Sequence, residues 1–252
     1  MNDLITIVSD NWLLLLVGQY PNGPLGGLAC TLLLSILGIT LAFPLSVGIA
    51  LARISKNPLL RWPSTALVYA TRGIPLLMII LWVYFLVPIL IGQNISGFTT
   101  MVVTLVVYEA AFLAEIVRAG IEALPKGQTE AARALGHGYM GAMFHIILPQ
   151  ALYNMLPSML SQFVSTIKET TLGYVINVHE LTFAASQVNN QLLTKPFHVF
   201  FILAVIYYIV CWSLTHAAEW LEQRIAKKRL GVNVTVHRSN IPPSTPPLRH
   251  LT

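Results

Sequence analysis

A single acidic side chain, Glu109, stands inside a long apolar stretch of this 252-residue sequence. An ionised carboxylate is costly in an apolar medium, so a charged residue at such a position is a functional-site candidate by default. Two interpretations fit it. Either the carboxylate receives an ammonium group or a cationic side chain of a small molecule, or it pairs internally with Arg72 or Lys168.

Other charged residues flank the apolar stretches. Arg72 lies at a predicted helix break, where it either neutralises a carboxylate or a helix C-terminus or anchors the chain at the membrane surface. Lys168 and Glu169 follow an apolar stretch and either shape the entrance of a ligand path or form a solvated turn. Glu115 and Arg118 are three residues apart on one helix face and are predicted to pair.

No pattern of an enzyme or a metal site accompanies these charges. The seven histidines show no metal-ligand spacing, the two cysteines lie in apolar stretches, and the sequence has no Gly-Lys dipeptide of a phosphate-binding loop. The basic residues form short clusters without aromatic residues between them, so the net charge of +5 does not indicate nucleic acid. We expect no catalytic residue, no cofactor, no metal and no nucleic-acid partner.

The composition indicates a lipid environment for most of the chain. Hydrophobic residues make up 55% and charged residues only 10%, whereas roughly a quarter of the residues are charged in soluble domains. A membrane-spanning helix needs roughly 20 apolar residues, which predicts an all-α polytopic membrane protein with about five spans. They are residues 28–52, a broken element with apolar parts 62–70 and 74–91, then 98–117, 146–167 and 197–218.

The Lys and Arg residues predict the orientation. Three basic clusters follow the first, third and fifth spans and fall on one side of a five-span chain, which places the N-terminus outside and the C-terminus in the cytoplasm. We expect residues 1–24 to be an interfacial segment, residues 25–225 the transmembrane domain and residues 226–252 a disordered cytoplasmic tail. Ala42, Ser46 and Ala50 recur every four residues, either as a small-residue stripe suited to close helix contact or by chance in an apolar helix.

The long polar connection after the third span has a specific pattern. Residues 128–135 are strong helix formers, and Gly136 and Gly138 end this helix. Residues 139–144 can form a second short helix. Two short helices joined at a glycine make a compact bent knob. Such a knob is suited to docking in a cleft of a soluble partner and to being moved by that partner.

The spacing of this connection resembles the signature loop of bacterial ABC importer permeases. The residues that carry the resemblance are Glu130-Ala131-Ala132, Gly136, Ile146 and Leu148-Pro149. Surrounding motifs are similar to the polar amino acid uptake branch: Arg72 to Leu76, Ala114 to Ile121, Lys126 to Gln128, Leu148 to Ala151 and Lys168 to Leu172. The stretch Tyr108 to Phe112 most resembles the glutamate/aspartate subgroup.

The resemblance implies a type I ABC importer transmembrane domain in a bacterial inner membrane, with residues 122–145 as the coupling loop. The residues implied to contact the ATPase are Gln128, Glu130, Ala131, Ala132 and Gly136. It also implies two ATP-binding subunits, a second permease copy or a paralogue, and an extracytoplasmic amino-acid-binding protein. Polar amino acids would cross by alternating access, along a path that includes Glu109, Arg72, Lys168 and Glu169.

Two other classes of membrane protein would show different sequence patterns. A secondary transporter would predict buried acidic residues on several helices and inverted repeats, whereas only Glu109 qualifies and no repeat is visible. A membrane enzyme or scaffold would need a clustered set of nucleophile, base or metal ligands, and the sequence shows none.

Overall fold

The computed structural model describes the backbone of residues 2–239 and the side chains of residues 3–225. All regular elements of this part are helical, which confirms the predicted all-α fold class. In chain order they are α1 (Asn2–Val17), α2 (Gly27–Ile54), α3 (Pro58–Gly73), α4 (Leu76–Ile91), α5 (Gly97–Glu122), α6 (Lys126–Ala134), α7 (Tyr139–Ala142), a π-helical turn (Met143–Ile147), α8 (Leu148–Glu169), a 3₁₀ segment (Thr170–Ile176), α9 (Leu181–Leu192) and α10 (Pro196–Ser239).

Three helices of the described chain are long and apolar enough to cross a membrane: α2, α5 and the part Pro196–Ile225 of α10. Helices α3 and α4 together form a broken fourth candidate, bent by 103° at the predicted break. Helix α8, the fifth predicted span, has 22 residues and so the required length. Its polar side chains make it less apolar than the other spans. This agrees with its position, since it packs between α5 and α10 and faces other helices.

The centre of the domain is the interface between α2 and α5. Ala42, Ser46 and Ala50 of α2 are all completely buried, which confirms the small-residue stripe. Ala42 lies in one hydrophobic cluster with Ala110 of α5, and Ala50 lies in another with Ala114 of the same helix. Side chains this small let two helix backbones approach closely. The tight α2–α5 pair is therefore the scaffold on which α8 rests.

The N-terminal helix α1 packs against the other end of the chain. Ile7 and Leu15 of α1 are buried with Val188 of α9 and Val199 of α10, and the carboxylate of Asp3 lies 2.8 Å from the ammonium group of Lys195. Helix α1 is therefore tied to the connection between α9 and α10. Its predicted interfacial position stays a prediction.

Helix α10 continues beyond its apolar part. Its backbone is helical to Ser239, so the first part of the tail for which we predicted disorder, residues 226–239, lies in this helix. Residues 240–252 lie outside the described residues. The prediction for them stays a prediction.

Candidate functional site

The carboxylate of Glu109 is completely buried between α5 and α8. Its Oε1 accepts a hydrogen bond of 2.7 Å from the Thr166 hydroxyl, and its Oε2 accepts one of 2.9 Å from the Gln162 side-chain amide. Gln162 and Thr166 are four residues apart, so they stand on one face of α8. That face supplies two polar groups to a single carboxylate of the neighbouring helix.

A second carboxyl group, that of Glu169, adjoins the first. It is close enough to Glu109 to interact with it directly, and its Oε2 atom is buried without a hydrogen-bond partner in the described chain. Two adjoining carboxylates repel each other unless a proton or a cation lies near them. The arrangement thus leaves one buried oxygen atom without a hydrogen bond, Oε2 of Glu169, at a position suited to receiving a proton or a cation.

The basic residues proposed as internal partners do not pair with Glu109. Arg72, at the end of α3, is exposed and its guanidinium lies 5.1 Å from the centre of the Phe112 ring. Lys168 is also exposed, and neither residue forms an ion pair among the described side chains. The interpretation of Glu109 as half of an internal ion pair with Arg72 or Lys168 is therefore wrong, because the side chains that hold its carboxylate are neutral.

Arg72 nevertheless belongs to the same region of the molecule. The ring of Phe112 contacts the ring of Tyr108, with centroids 4.7 Å apart, and Tyr108 lies within electrostatic range of Glu109, Glu169 and Arg72. The region therefore combines acidic groups, a basic group and two aromatic rings. A zwitterion carries the complementary pair of charges.

Helix α6 forms the exposed arm of the predicted knob. Gln128, Glu130 and Ala131 are exposed, whereas Ala132 is buried and holds α6 against the rest of the domain. Gly136 ends this arm with φ +85°, a left-handed conformation that favours glycine, and its N–H donates to the Arg133 carbonyl at 3.0 Å. The predicted helix and its glycine stop are both present.

The predicted second arm, residues 139–144, does not end where we expected. Helix α7 covers only Tyr139–Ala142 and then continues through the π-helical turn into α8. Pro149 follows this turn directly and has no N–H to donate to a carbonyl four residues earlier. The wider turn adapts the backbone, since the Leu148 N–H donates to the Met143 carbonyl. Residues from Tyr139 to Glu169 thus form one uninterrupted helical segment.

An ion-pair network closes the end of the α2–α5 pair. The Arg53 guanidinium donates to the Glu115 carboxylate, which also pairs with Arg118 as predicted. Arg118 pairs in turn with Glu122 one turn further along α5. We missed Arg53, because nothing in the sequence reveals that this last-turn residue of α2 is buried against α5.

A second residue that we missed is Glu180, which is completely buried. Its carboxylate accepts hydrogen bonds from the backbone N–H groups of Thr182 at 2.7 Å and Phe183 at 2.9 Å, and from the Tyr207 hydroxyl at 3.1 Å. It therefore caps the start of α9 and ties it to α10. Glutamate is not among the preferred N-cap residues, so the sequence offered little signal.

The comparisons with known proteins agree with this architecture. The family described as "Binding-protein-dependent transport system inner membrane component" matches residues 44–227, and the chain belongs to this family. It is thus a multi-pass inner-membrane protein. Over 223 residues it is 35% identical to the "Probable glutamine ABC transporter permease protein GlnM" of Bacillus subtilis, covering 88% of this chain and 98% of that protein.

Two further similarities connect the chain to amino acid transport proteins. It is 31% identical over 210 residues to the "Glutamate/aspartate import permease protein GltK" of Escherichia coli O6:H1, covering 80% of this chain and 93% of that protein. A solved structure described as "Crystal structure of an amino acid ABC transporter with histidines" matches with a TM-score of 0.76 and 31% identity, covering 88% of this chain and 98% of that one. The type I importer fold and the predicted family are thereby confirmed.

Proposed function

We propose that this chain is the translocation subunit of an ATP-driven importer of polar amino acids. The observation that carries the proposal is the uninterrupted helical segment from Tyr139 to Glu169. One end adjoins the exposed helix α6, and the other end supplies Gln162 and Thr166 to the buried carboxylate of Glu109. A push on the knob would therefore act on the residues that hold the candidate binding group.

This connection supports alternating access as the mechanism. Closure of the ATP-binding subunits moves α6 and α7, the rigid segment moves with them, and α8 shifts against α5. The hydrogen bonds from α8 to Glu109 then change, so the affinity for a bound ligand differs between the two states, as any ligand-coupled transition requires. The broken α3–α4 pair, bent by 103°, can flank the path that opens.

The acidic cluster suggests how an amino acid is held. The carboxyl groups of Glu109 and Glu169 receive the ammonium group or a cationic side chain, while Arg72, exposed beside Phe112, faces the carboxylate of the ligand. Lys168 is exposed at the same end of α8 and contributes to the entrance. Names of the relatives include glutamine and glutamate/aspartate, so the substrate class we propose is a polar amino acid, glutamate or aspartate among the candidates.

The proposal requires partners. Two ATP-binding subunits hydrolyse ATP and dock on Gln128, Glu130, Ala131 and Gly136, with Ala132 as the buried support. A second permease copy or paralogue completes the path. An extracytoplasmic amino-acid-binding protein delivers the ligand. The exposed side chains of α6 and the exposed Leu135 support this docking surface. The basic clusters support an external N-terminus and a cytoplasmic C-terminus.

The test is reconstitution of the purified permease with its ATP-binding subunits and binding protein in liposomes. We expect ATP-dependent accumulation of a radiolabelled polar amino acid, and ATP hydrolysis that the loaded binding protein stimulates. The control is a complex in which the catalytic glutamate of the ATP-binding subunits is substituted, so that ATP is not hydrolysed. Accumulation that follows a proton or sodium gradient without ATP would contradict the proposal and favour a secondary transporter.

A further inference from the structure

A cavity of about 910 Å³ lies away from the Glu109 region, between the C-terminal end of α2, the start of α3 and the segment from Arg133 to Phe144. We call it the α2–α7 cavity. Its size is in the range of small-molecule sites, which are roughly 300–1,000 Å³. No acidic side chain lines it among the described residues.

Three basic side chains line the α2–α7 cavity, those of Lys56, Arg133 and His137. In the described part of the chain none of them forms an ion pair. The neighbouring Arg53 and Arg118, by contrast, are both paired with Glu115. Lys56 and Arg133 therefore give the cavity positive charge that the chain itself leaves without an acidic partner, and its complement is an anion.

Most of the remaining lining is apolar, and part of it is exposed. Leu60, Met140 and Phe144 have exposed fractions of 52%, 63% and 46%, and Gly48 opens the wall of α2, since no atom lies within 4 Å of the position of an added Cβ. A simple inorganic anion would make no favourable contact with these apolar side chains. An amphiphile with an anionic head and a hydrocarbon tail matches both halves of the cavity.

The position of the cavity agrees with a lipid ligand. It lies beside the last turn of the membrane-spanning helix α2, and Trp62, 69% exposed, stands five residues along α3 from the lining residue Asn57. Exposed tryptophan is typical of the membrane–water interface. The N-terminus of α3 also opens into the cavity through Asn57, and its helix dipole favours negative charge.

We propose that the α2–α7 cavity binds an anionic phospholipid of the adjacent leaflet. The phosphate lies among Lys56, Arg133 and His137, and an acyl chain follows Leu51, Leu60 and Met140. Basic pockets at the ends of membrane helices are a recognised mode of binding anionic headgroups. Because the lipid touches both the α2–α3 turn and the segment after Gly136, it links the membrane surface to the knob.

The test is lipid retention by the purified full-length permease in neutral detergent, measured by native mass spectrometry. Dioleoyl phosphatidylglycerol is compared with dioleoyl phosphatidylcholine. Each basic residue near an anionic surface contributes about a fivefold gain in binding, so the double variant Lys56→Gln/Arg133→Gln should lose about 25-fold in phosphatidylglycerol retention. Arg61→Gln is the matched control, because Arg61 is exposed on α3 and does not line the cavity.

A second variant tests the apolar half without changing charge. Gly48→Leu places a side chain into open space and should displace the acyl chain, lowering retention while the melting temperature stays unchanged. Equal retention of the two lipids, unchanged retention by both variants, or displacement by inorganic phosphate alone would overturn the proposal. Displacement of the lipid by the ATP-binding subunits in the assembled complex would also overturn it and assign the cavity to a protein contact.

Discussion

The hydroxyl group of Thr166 donates a 2.7 Å hydrogen bond to the buried carboxylate of Glu109, and so joins α8 to α5 within the membrane domain. The bond matters because Thr166 stands on the helical segment that begins in the knob. A change in the position of the knob therefore changes the surroundings of the acidic group. This geometry motivates the first two predictions.

Replacement of Glu109 by glutamine should lower uptake about tenfold or more, because an interaction with a charged group is worth about 1.5–3 kcal/mol. Glutamine keeps the size of the side chain and still accepts the Thr166 hydrogen bond, so the melting temperature should change little. Uptake and thermal unfolding are measured in parallel, with the exposed Glu219→Gln as the control. Full uptake by Glu109→Gln, or its recovery when Arg72 is also neutralised, would refute the substrate role.

Replacement of Gly136 by alanine should uncouple transport from ATP hydrolysis. Its φ of +85° is left-handed, and this conformation costs other residues about 1–2 kcal/mol, so the turn after α6 would change shape. Gly127→Ala is the matched control, because Gly127 lies inside α6 with open space around it and without a positive φ. The readouts are retention of the ATP-binding subunits and hydrolysis stimulated by the binding protein. Equal stimulation in both variants would disprove the role of this turn.

The charge of α6 can be tested independently of its shape. Glu130 is exposed on α6, and Glu130→Lys reverses its charge without altering a buried contact. We expect weaker association with the ATP-binding subunits and a permease that still inserts and melts normally. Copurification measures the association, and Glu130→Gln serves as the milder comparison. An unaltered complex in both variants would exclude a charge match at this position.

Loss of Arg53 should destabilise the domain. Its side chain is only 6% exposed and pairs with Glu115, and breaking a buried pair typically costs about 3–5 kcal/mol because the remaining charge has no partner. In Arg53→Gln the carboxylate keeps Arg118, so we expect about 3 kcal/mol or less. Thermal unfolding in detergent measures the difference, with the exposed Arg61→Gln as the control. Identical unfolding of the two variants would show that the pair contributes nothing.

The orientation of the chain is testable with reporter fusions. A phosphatase fused after Gly97, at the start of α5, should be active outside the cytoplasm, and one fused after Gly127 in α6 should be inactive. The reason is the placement of the basic clusters on one side of the membrane. Activity of the fusion after Gly127, without activity of the other, would reverse the orientation we propose for both termini.

The sequence revealed those parts of the fold that depend on local pattern. Apolar length gave four of the five predicted spans, the Gly73–Pro75 step gave the bend between α3 and α4, and Gly136 gave the end of α6, because each effect acts within a few residues of its cause. Glu109 stood out for the same reason. A charge in an apolar stretch needs no knowledge of its neighbours to be noticed.

Contacts between distant helices could not be predicted in this way. Arg53 and Glu115 are 62 positions apart, and Glu109 and Thr166 are 57 apart. Their pairing depends on the rotation of each helix, and one residue of rotation moves a side chain about 100° around the axis. For this reason the interpretation of Glu109 as half of an internal ion pair was wrong. Neutral residues of α8, rather than Arg72 or Lys168, face its carboxylate.

The π-helical turn Met143–Ile147 sets the rotation of α7 relative to α8 about the axis of the helical segment. A π turn holds one residue more than an α turn, and one residue corresponds to about 100° of an α-helix. The face of α7 and the face that carries Gln162 and Thr166 are therefore set at an angle by one inserted position. If the same residues formed a regular α-helix instead, the face of α7 would be rotated by about 100° relative to the face of Gln162 and Thr166.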